Sequence, residues 1–64
     1  MLEQPQTKHN LLKQADGLRD LARRARRLSE RMQFESDQRR LLRHCEELHD
    51  SAARLEQVAA ETKI

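Results

Sequence analysis

The residues best suited to do chemistry in this chain are arginines, of which six fall between positions 19 and 31. A guanidinium group stays charged at physiological pH and matches the geometry of a phosphate group. Several of them on one helix can bind a nucleic-acid backbone through counterion release, with little reading of the base sequence. The predicted nucleic-acid-binding set also includes one lysine and consists of Lys13, Arg19, Arg23, Arg24, Arg26, Arg27 and Arg31.

The same arginines have a second interpretation, as the solvated face of a helix. Asp20 and Arg24 are four residues apart, as are Arg26 and Glu30, and this spacing allows ion pairs along one helix. Arginine stems can also cover the edges of an apolar stripe while their charged groups stay in water. The sequence is compatible with both interpretations.

Cys45 and His49 are candidates for metal binding, because a spacing of four residues puts both side chains on one face of a helix. His44 is adjacent, and His9 lies on the other predicted helix. A structural zinc site needs four ligands, and Cys45 falls in an apolar seam, where a thiol behaves as a small hydrophobe. We therefore expect no metal ion.

The sequence shows no nucleophile–base pair, Gly-rich loop or pocket-forming aromatic set, so we expect neither enzymatic activity nor a cofactor.

The composition limits how these side chains can be positioned. The chain has 64 residues, of which 36% are hydrophobic, 2% aromatic and 38% charged. A core this thin rarely supplies more than about 3–5 kcal/mol without disulfides, a metal or oligomerisation. The single cysteine cannot form an internal disulfide, and no apolar segment reads as a signal or a membrane span. We expect a cytoplasmic protein that associates with itself and not with membranes.

An apolar seam organises the second half of the chain. From Leu41 to Leu55 its residues recur in steps of four, three, four and three, which is the pattern of a coiled-coil helix. Leucines alternate with the small residues Cys45, Ala52 and Ala59. This alternation allows facing helices to interdigitate.

A second apolar stripe runs through the first half of the chain. Its residues repeat at helical spacing and include several small side chains: Leu11, Leu18, Ala25 and Met32, then Leu21 and Leu28, then Ala15, Ala22 and Ser29. Residues 1–6 are predicted to be a frayed lead-in, with Thr7 as the N-cap. Gly17 costs the helix about 1 kcal/mol relative to alanine, and it marks either a close contact or neutral drift.

The two stripes predict a hairpin rather than one continuous helix. At 100° per residue the second stripe is rotated by about 150° from the first, so a straight helix would present its halves to opposite sides. A turn removes this conflict, with Ser36 or Asp37 as the N-cap of the next helix. The prediction is one all-α domain, residues 1–64, with helices over about 8–34 and 39–62 and a turn over about 35–38.

Charge is distributed unevenly between these two helices. From Lys8 to Arg31 eight basic residues face three acidic ones, a net charge of +5, whereas residues 38–64 contain five of each. The first helix is therefore basic and the second is balanced. In a dimer, two basic helices side by side would form a broad positive surface.

The segment from Cys45 to Leu55 resembles the second helix of the Rop proteins (repressor of primer, also called RNA-one modulator). The matching residues are Cys45-Glu46, Leu48-His49-Asp50, Ala52 and Leu55. The His-Asp pair beside a seam leucine is not required by coiled-coil packing. The resemblance implies an antiparallel helical hairpin that dimerises into a four-helix bundle and binds paired RNA loops in plasmid copy-number control.

In that family the RNA-binding face is the outer side of the first helices and includes a phenylalanine near its middle. Here no aromatic residue precedes Phe34, and alignment of the core positions places Asp20 or Leu21 where the family has its aromatic. Phe34 is predicted to pack at the end of the bundle, and weak discrimination between RNA sequences is expected.

The predicted function is that of a homodimeric Rop-like regulatory protein that binds structured RNA through its basic first helices. The alternative is a protein-interaction module without nucleic-acid activity, such as an inhibitor, an antitoxin-like hairpin or a chaperone-like hairpin. The predicted dimer core consists of Leu18, Leu21, Ala25, Leu28, Met32, Leu41, Cys45, Leu48, Ala52, Leu55 and Ala59.

Overall fold

The described part of the chain, residues 7–62 of a computed structural model, consists of two packed helices. Helix α1 spans Thr7–Arg31 and helix α2 spans Glu35–Glu61. The hairpin is a rod with extents of 49 × 16 × 14 Å. An all-α helical hairpin was predicted from the two apolar stripes, and it is confirmed. The predicted lead-in at residues 1–6 lies outside the described residues. Neither described helix combines the length and apolarity needed to cross a membrane.

The connection between the helices lies about three residues earlier than the predicted turn at 35–38. Helix α1 ends at Arg31, and the amide of Met32 donates to the carbonyl of Ser29 at 3.2 Å. The side-chain Nε2 of Gln38 donates to the carbonyl of Met32, also at 3.2 Å. This bond satisfies an acceptor just beyond the helix end and ties the connection to α2.

The prediction that Ser36 or Asp37 caps α2 is wrong. The N-cap is Phe34, in extended conformation (φ −105°, ψ 134°) and without a side-chain capping bond. Glu35 and Asp37 lie within the first turn of α2. Acidic side chains there interact favourably with the positive end of the helix dipole, so this polar segment is compatible with a helix.

Small side chains form the contact between the two helices. No described side chain larger than cysteine is buried, and the buried residues are Ala15, Ala22, Ala25, Ser29, Cys45, Ala52 and Ala59. Ala22, Ala25 and Cys45 form one cluster, against which the half-buried Leu48 packs. Small residues allow the helix axes to approach closely, and the larger side chains are left at the margins of this contact.

The leucines of the predicted core are incompletely covered within one hairpin. Leu21 and Leu28 are 48% and 47% exposed. At 100° per residue they lie about 80–100° from the centre of the buried stripe of α1, so packing against α2 alone does not reach them. The other large apolar residues of the predicted core are half-buried: Leu18, Met32, Leu41, Leu48 and Leu55.

Candidate nucleic-acid interface

Within residues 7–62, Arg19 is the one member of the predicted nucleic-acid-binding set that forms an ion pair with the opposite helix. Its Nε donates to Oε2 of Glu56 at 2.9 Å and its Nη2 donates to Oε1 at 2.7 Å, which is a bidentate ion pair. The hydrogen bond from Arg19 lowers the pKa of the Glu56 carboxyl, although partial desolvation opposes this, and the same bond raises the pKa of Arg19. Arg19 therefore joins α1 to α2, and its charge is neutralised locally.

His49 completes this interhelical cluster. Its Nδ1 lies 2.9 Å from Nη1 of Arg19. A guanidinium can only donate, so Nδ1 is the acceptor in this hydrogen bond. Cys45 is 5% exposed and lies in the contact between the helices. Within residues 7–62, no group of three or more His, Cys, Asp or Glu residues is arranged to hold a metal ion.

The ion pairs along α1 differ from the predicted ones. Arg23 pairs with Asp20, three residues away, and both side chains are more than half exposed. The predicted pairs of Asp20 with Arg24 and of Arg26 with Glu30 do not form in the described part of the chain. Asp20 can satisfy either neighbouring arginine, and it pairs with the nearer one along the chain.

Four arginines of the predicted set have no partner of opposite charge. Arg24, Arg27 and Arg31 surround the exposed Leu28 and line an open groove of about 280 Å³. Arg26 borders a second groove, of about 200 Å³, on the side that faces Gln38 and Leu42 of α2. Within residues 7–62 the side chains of these four arginines form no ion pair or hydrogen bond, and Lys13 is likewise exposed and unpaired.

Two exposed arginines of α2 were missed when the charges were sorted by helix. Arg40 and Arg43 lie near the start of α2, close to the connection, and their side chains have no partner among residues 7–62. Arg39 pairs with Glu35 at 3.5 Å, and both of these side chains are at least 70% exposed. Sorting the charges by distance from the turn instead of by helix would have found Arg40 and Arg43.

Aromatic stacking has no platform on the faces of the two helices. The only aromatic residue of the chain is Phe34, in the connection, where it is 66% exposed. Its predicted packing at the end of the bundle does not occur within a single hairpin.

Comparison with known proteins identifies no relative of this chain. No family model, no curated protein and no solved structure matches it.

Proposed function

We propose that two copies of this hairpin form a four-helix bundle, and that the bundle is a small regulatory protein that binds structured RNA. The observation that carries the RNA proposal is a group of exposed arginines on α1, Arg24, Arg27 and Arg31, which have no ion-pair partner among residues 7–62. The resemblance of residues 45–55 to the second helix of the Rop proteins supports the same class of function.

The dimer proposal rests on an apolar surface that the single hairpin leaves uncovered. This surface, called here the leucine face, consists of Leu18, Leu21, Leu28 and Met32 of α1 with Leu41, Leu48 and Leu55 of α2. At 100° per residue, Leu21 and Leu28 lie on the side of α1 opposite to Arg19, whose pairing with Glu56 marks the polar side of the hairpin. Both helices thus contribute leucines to one side.

A second copy is the occupant that best fits the leucine face. The face extends the contact between α1 and α2 without interruption, and its leucines repeat at heptad spacing in α2, as in a bundle. A thin hairpin also needs additional apolar burial for stability. Pairing through the leucine face would leave Arg27 on the outside of the bundle, because it lies opposite the buried stripe of α1.

Paired RNA suits this surface better than an unpaired strand. Proteins that bind single strands stack the bases mainly on Phe, Tyr and Trp, and the described helices α1 and α2 contain none of these three. Double-stranded RNA is bound mainly by its shape and through phosphate and 2′-hydroxyl contacts, for which arginines are sufficient. We therefore expect binding to depend strongly on salt and weakly on base sequence.

The test is a titration of two RNA hairpins paired through their loops with protein of known oligomeric state. If the dimer neutralises six or more phosphates, the affinity should fall by about 10³-fold or more between 50 and 200 mM salt. Arg24→Glu with Arg27→Glu should abolish binding while helical content and sedimentation are unchanged, because both side chains are exposed.

Two single charge reversals provide the matched comparison. Arg27→Glu removes a charge from the unpaired group, and Arg54→Glu makes the same change on α2, far from the connection, where Arg54 contacts Ser51 at 3.4 Å. Arg27→Glu should weaken binding far more than Arg54→Glu. Wild-type protein that binds no RNA at 50 mM salt would refute the proposal and favour a protein partner.

A further inference from the structure

We propose that the RNA contact surface is the loop half of the hairpin, defined as residues 24–43, and that both helices build it. This inference rests on the proposed function and specifies where the RNA binds. It differs from the expectation that α1 binds along its whole length, because it adds Arg40 and Arg43 of α2 and omits the first part of α1.

The first observation is the distribution of charge along the rod. The loop half contains seven arginines and three acidic residues, so its net charge is 7 − 3 = +4. The other described residues, 7–23 and 44–62, contain five basic and seven acidic residues, so their net charge is 5 − 7 = −2. Within each hairpin, a phosphate backbone is therefore attracted to the loop half and repelled from the other end.

The second observation is that most arginines inside the loop half lack an ion-pair partner among residues 7–62, whereas those outside it have partners. Outside the loop half, Arg19 is paired with Glu56, Arg23 is paired with Asp20, and Arg54 contacts Ser51. Inside it, only Arg39 has an acidic partner among residues 7–62, Glu35 at 3.5 Å. The six other arginines of the loop half have no ion-pair partner there: Arg24, Arg26, Arg27, Arg31, Arg40 and Arg43.

The third observation is the compactness of this region. Eight residues of α1, 24–31, and nine of α2, 35–43, lie on either side of a connection of three residues. At 1.5 Å per residue, each helical part extends only about 12–14 Å from the connection. Several guanidinium groups thus lie within a region comparable in size to the width of the rod, 16 × 14 Å. Clustered charges of one sign raise the local potential and concentrate polyanions there.

The decisive experiment compares two double charge reversals that change the net charge equally. Arg40→Glu with Arg43→Glu, the α2 variant, alters the loop half, whereas Lys13→Glu with Arg54→Glu, the distal variant, alters one side chain of each helix about 16 Å beyond the loop half. All four side chains are exposed in the hairpin, so both variants should keep the helical content of the wild type. Because Arg40 lies on the same side of α2 as Leu48 and Leu55, affinities are compared at protein concentrations at which sedimentation shows the same oligomeric state for both variants. Binding of the paired RNA hairpins at 50 mM salt is measured for both.

We expect the α2 variant to lose about 100-fold in affinity, since each phosphate contact contributes about tenfold at this salt concentration. The distal variant should lose less than about fivefold, because charges farther than a Debye length from the RNA are largely screened. If the distal variant loses more affinity than the α2 variant, the inference is overturned while the proposed function stands. If the wild type binds no paired RNA, both the proposed function and this inference are refuted.

A folding defect in the α2 variant would not prevent the test. In that case Arg40→Gln with Arg43→Gln neutralises the same charges without reversing them. The slope of log affinity against log salt should then become shallower by about 0.9 for each lost phosphate contact. An unchanged slope would show that Arg40 and Arg43 do not contact phosphates, which would equally overturn the inference.

Discussion

At the scale of single residues, Arg19 differs from its neighbours because α2 supplies two acceptors for its guanidinium. Glu56 binds it through both carboxylate oxygens, and Nδ1 of His49 lies 2.9 Å from Nη1. The cluster is partly exposed, with 31% of the Arg19 side chain and 38% of the Glu56 side chain accessible. Its main consequence is to fix the alignment of α1 against α2, since a shift by one residue would separate the charged groups.

The Glu56 carboxyl makes the stability of the hairpin depend on pH, and the ion pair with Arg19 determines the direction of this dependence. Its pKa in the folded protein lies below the ordinary value of 4.5, because the hydrogen bond from Arg19 favours the charged form. The contribution to stability is therefore complete above pH 4.5 and is lost as the pH falls through the lower, folded value. We expect Glu56→Gln to be less stable than the wild type at pH 7. We also expect the variant to lose less stability than the wild type when the pH is lowered.

The measurement is chemical denaturation of the wild type and the variant from pH 7 to pH 3, followed by circular dichroism. Glu46→Gln serves as the control, because Glu46 is exposed and has no ion-pair partner within residues 7–62. If Glu56→Gln and Glu46→Gln have equal effects at every pH, the interhelical ion pair does not contribute to stability in solution.

At the scale of helices, Gly17 is the one position where the sequence left a packing question open. Apart from its chain neighbours and the adjacent backbone of α1, a Cβ atom at Gly17 would meet nothing within 4 Å in the hairpin, so close packing against α2 does not explain the glycine. Alanine is favoured over glycine in a helix by about 1 kcal/mol. Gly17→Ala should therefore raise the melting temperature by about 4–8 °C.

The dissociation constant of the dimer, measured by sedimentation, provides the check on Gly17→Ala. If the hairpin contact is the only constraint at this position, the variant should associate at least as tightly as the wild type. Weaker association together with unchanged helical content would show that Gly17 lies against the second copy.

The two helices were predictable from sequence because apolar residues at helical spacing define each stripe, and their difference in phase requires a turn. The position of the turn was not predictable in the same way. Residues 32–34 contain no glycine or proline, whereas the polar residues 35–38 suit a turn and a first helical turn equally well. In the structure these residues begin α2, and Glu35 and Asp37 lie in its first turn, where acidic side chains interact favourably with the helix dipole.

The burial of small residues could be predicted only in part, since periodicity locates a stripe but not its centre. From the sequence, Ala15, Ala22 and Ser29 widen the stripe of α1, and the structure places all three at its centre. The arginines illustrate a similar limit. Their abundance on α1 is visible in the sequence, but the pairing of Arg19 with Glu56 depends on how the two helices are aligned.

At the scale of the whole molecule, the charge asymmetry of the rod bears on how two copies would assemble. The loop half has a net charge of +4 and the remaining described residues have −2. If the two connections lay at the same end of a dimer, the two positive regions would be adjacent and would repel each other. With the connections at opposite ends, each positive region would lie beside the negative part of the other copy. We therefore predict the second arrangement.

A distance measurement between the two connections tests this prediction. Gln33→Cys in a Cys45→Ala background provides one labelling site per copy, because Cys45 is the only native cysteine. With the connections at opposite ends, the labels should be separated by about 40 Å, the length of 27 helical residues. A separation below about 25 Å, set by the spacing of neighbouring helices and the reach of the labels, would show that both connections lie at one end. Because the preference is electrostatic, any minor population with the shorter distance should increase as the salt concentration is raised.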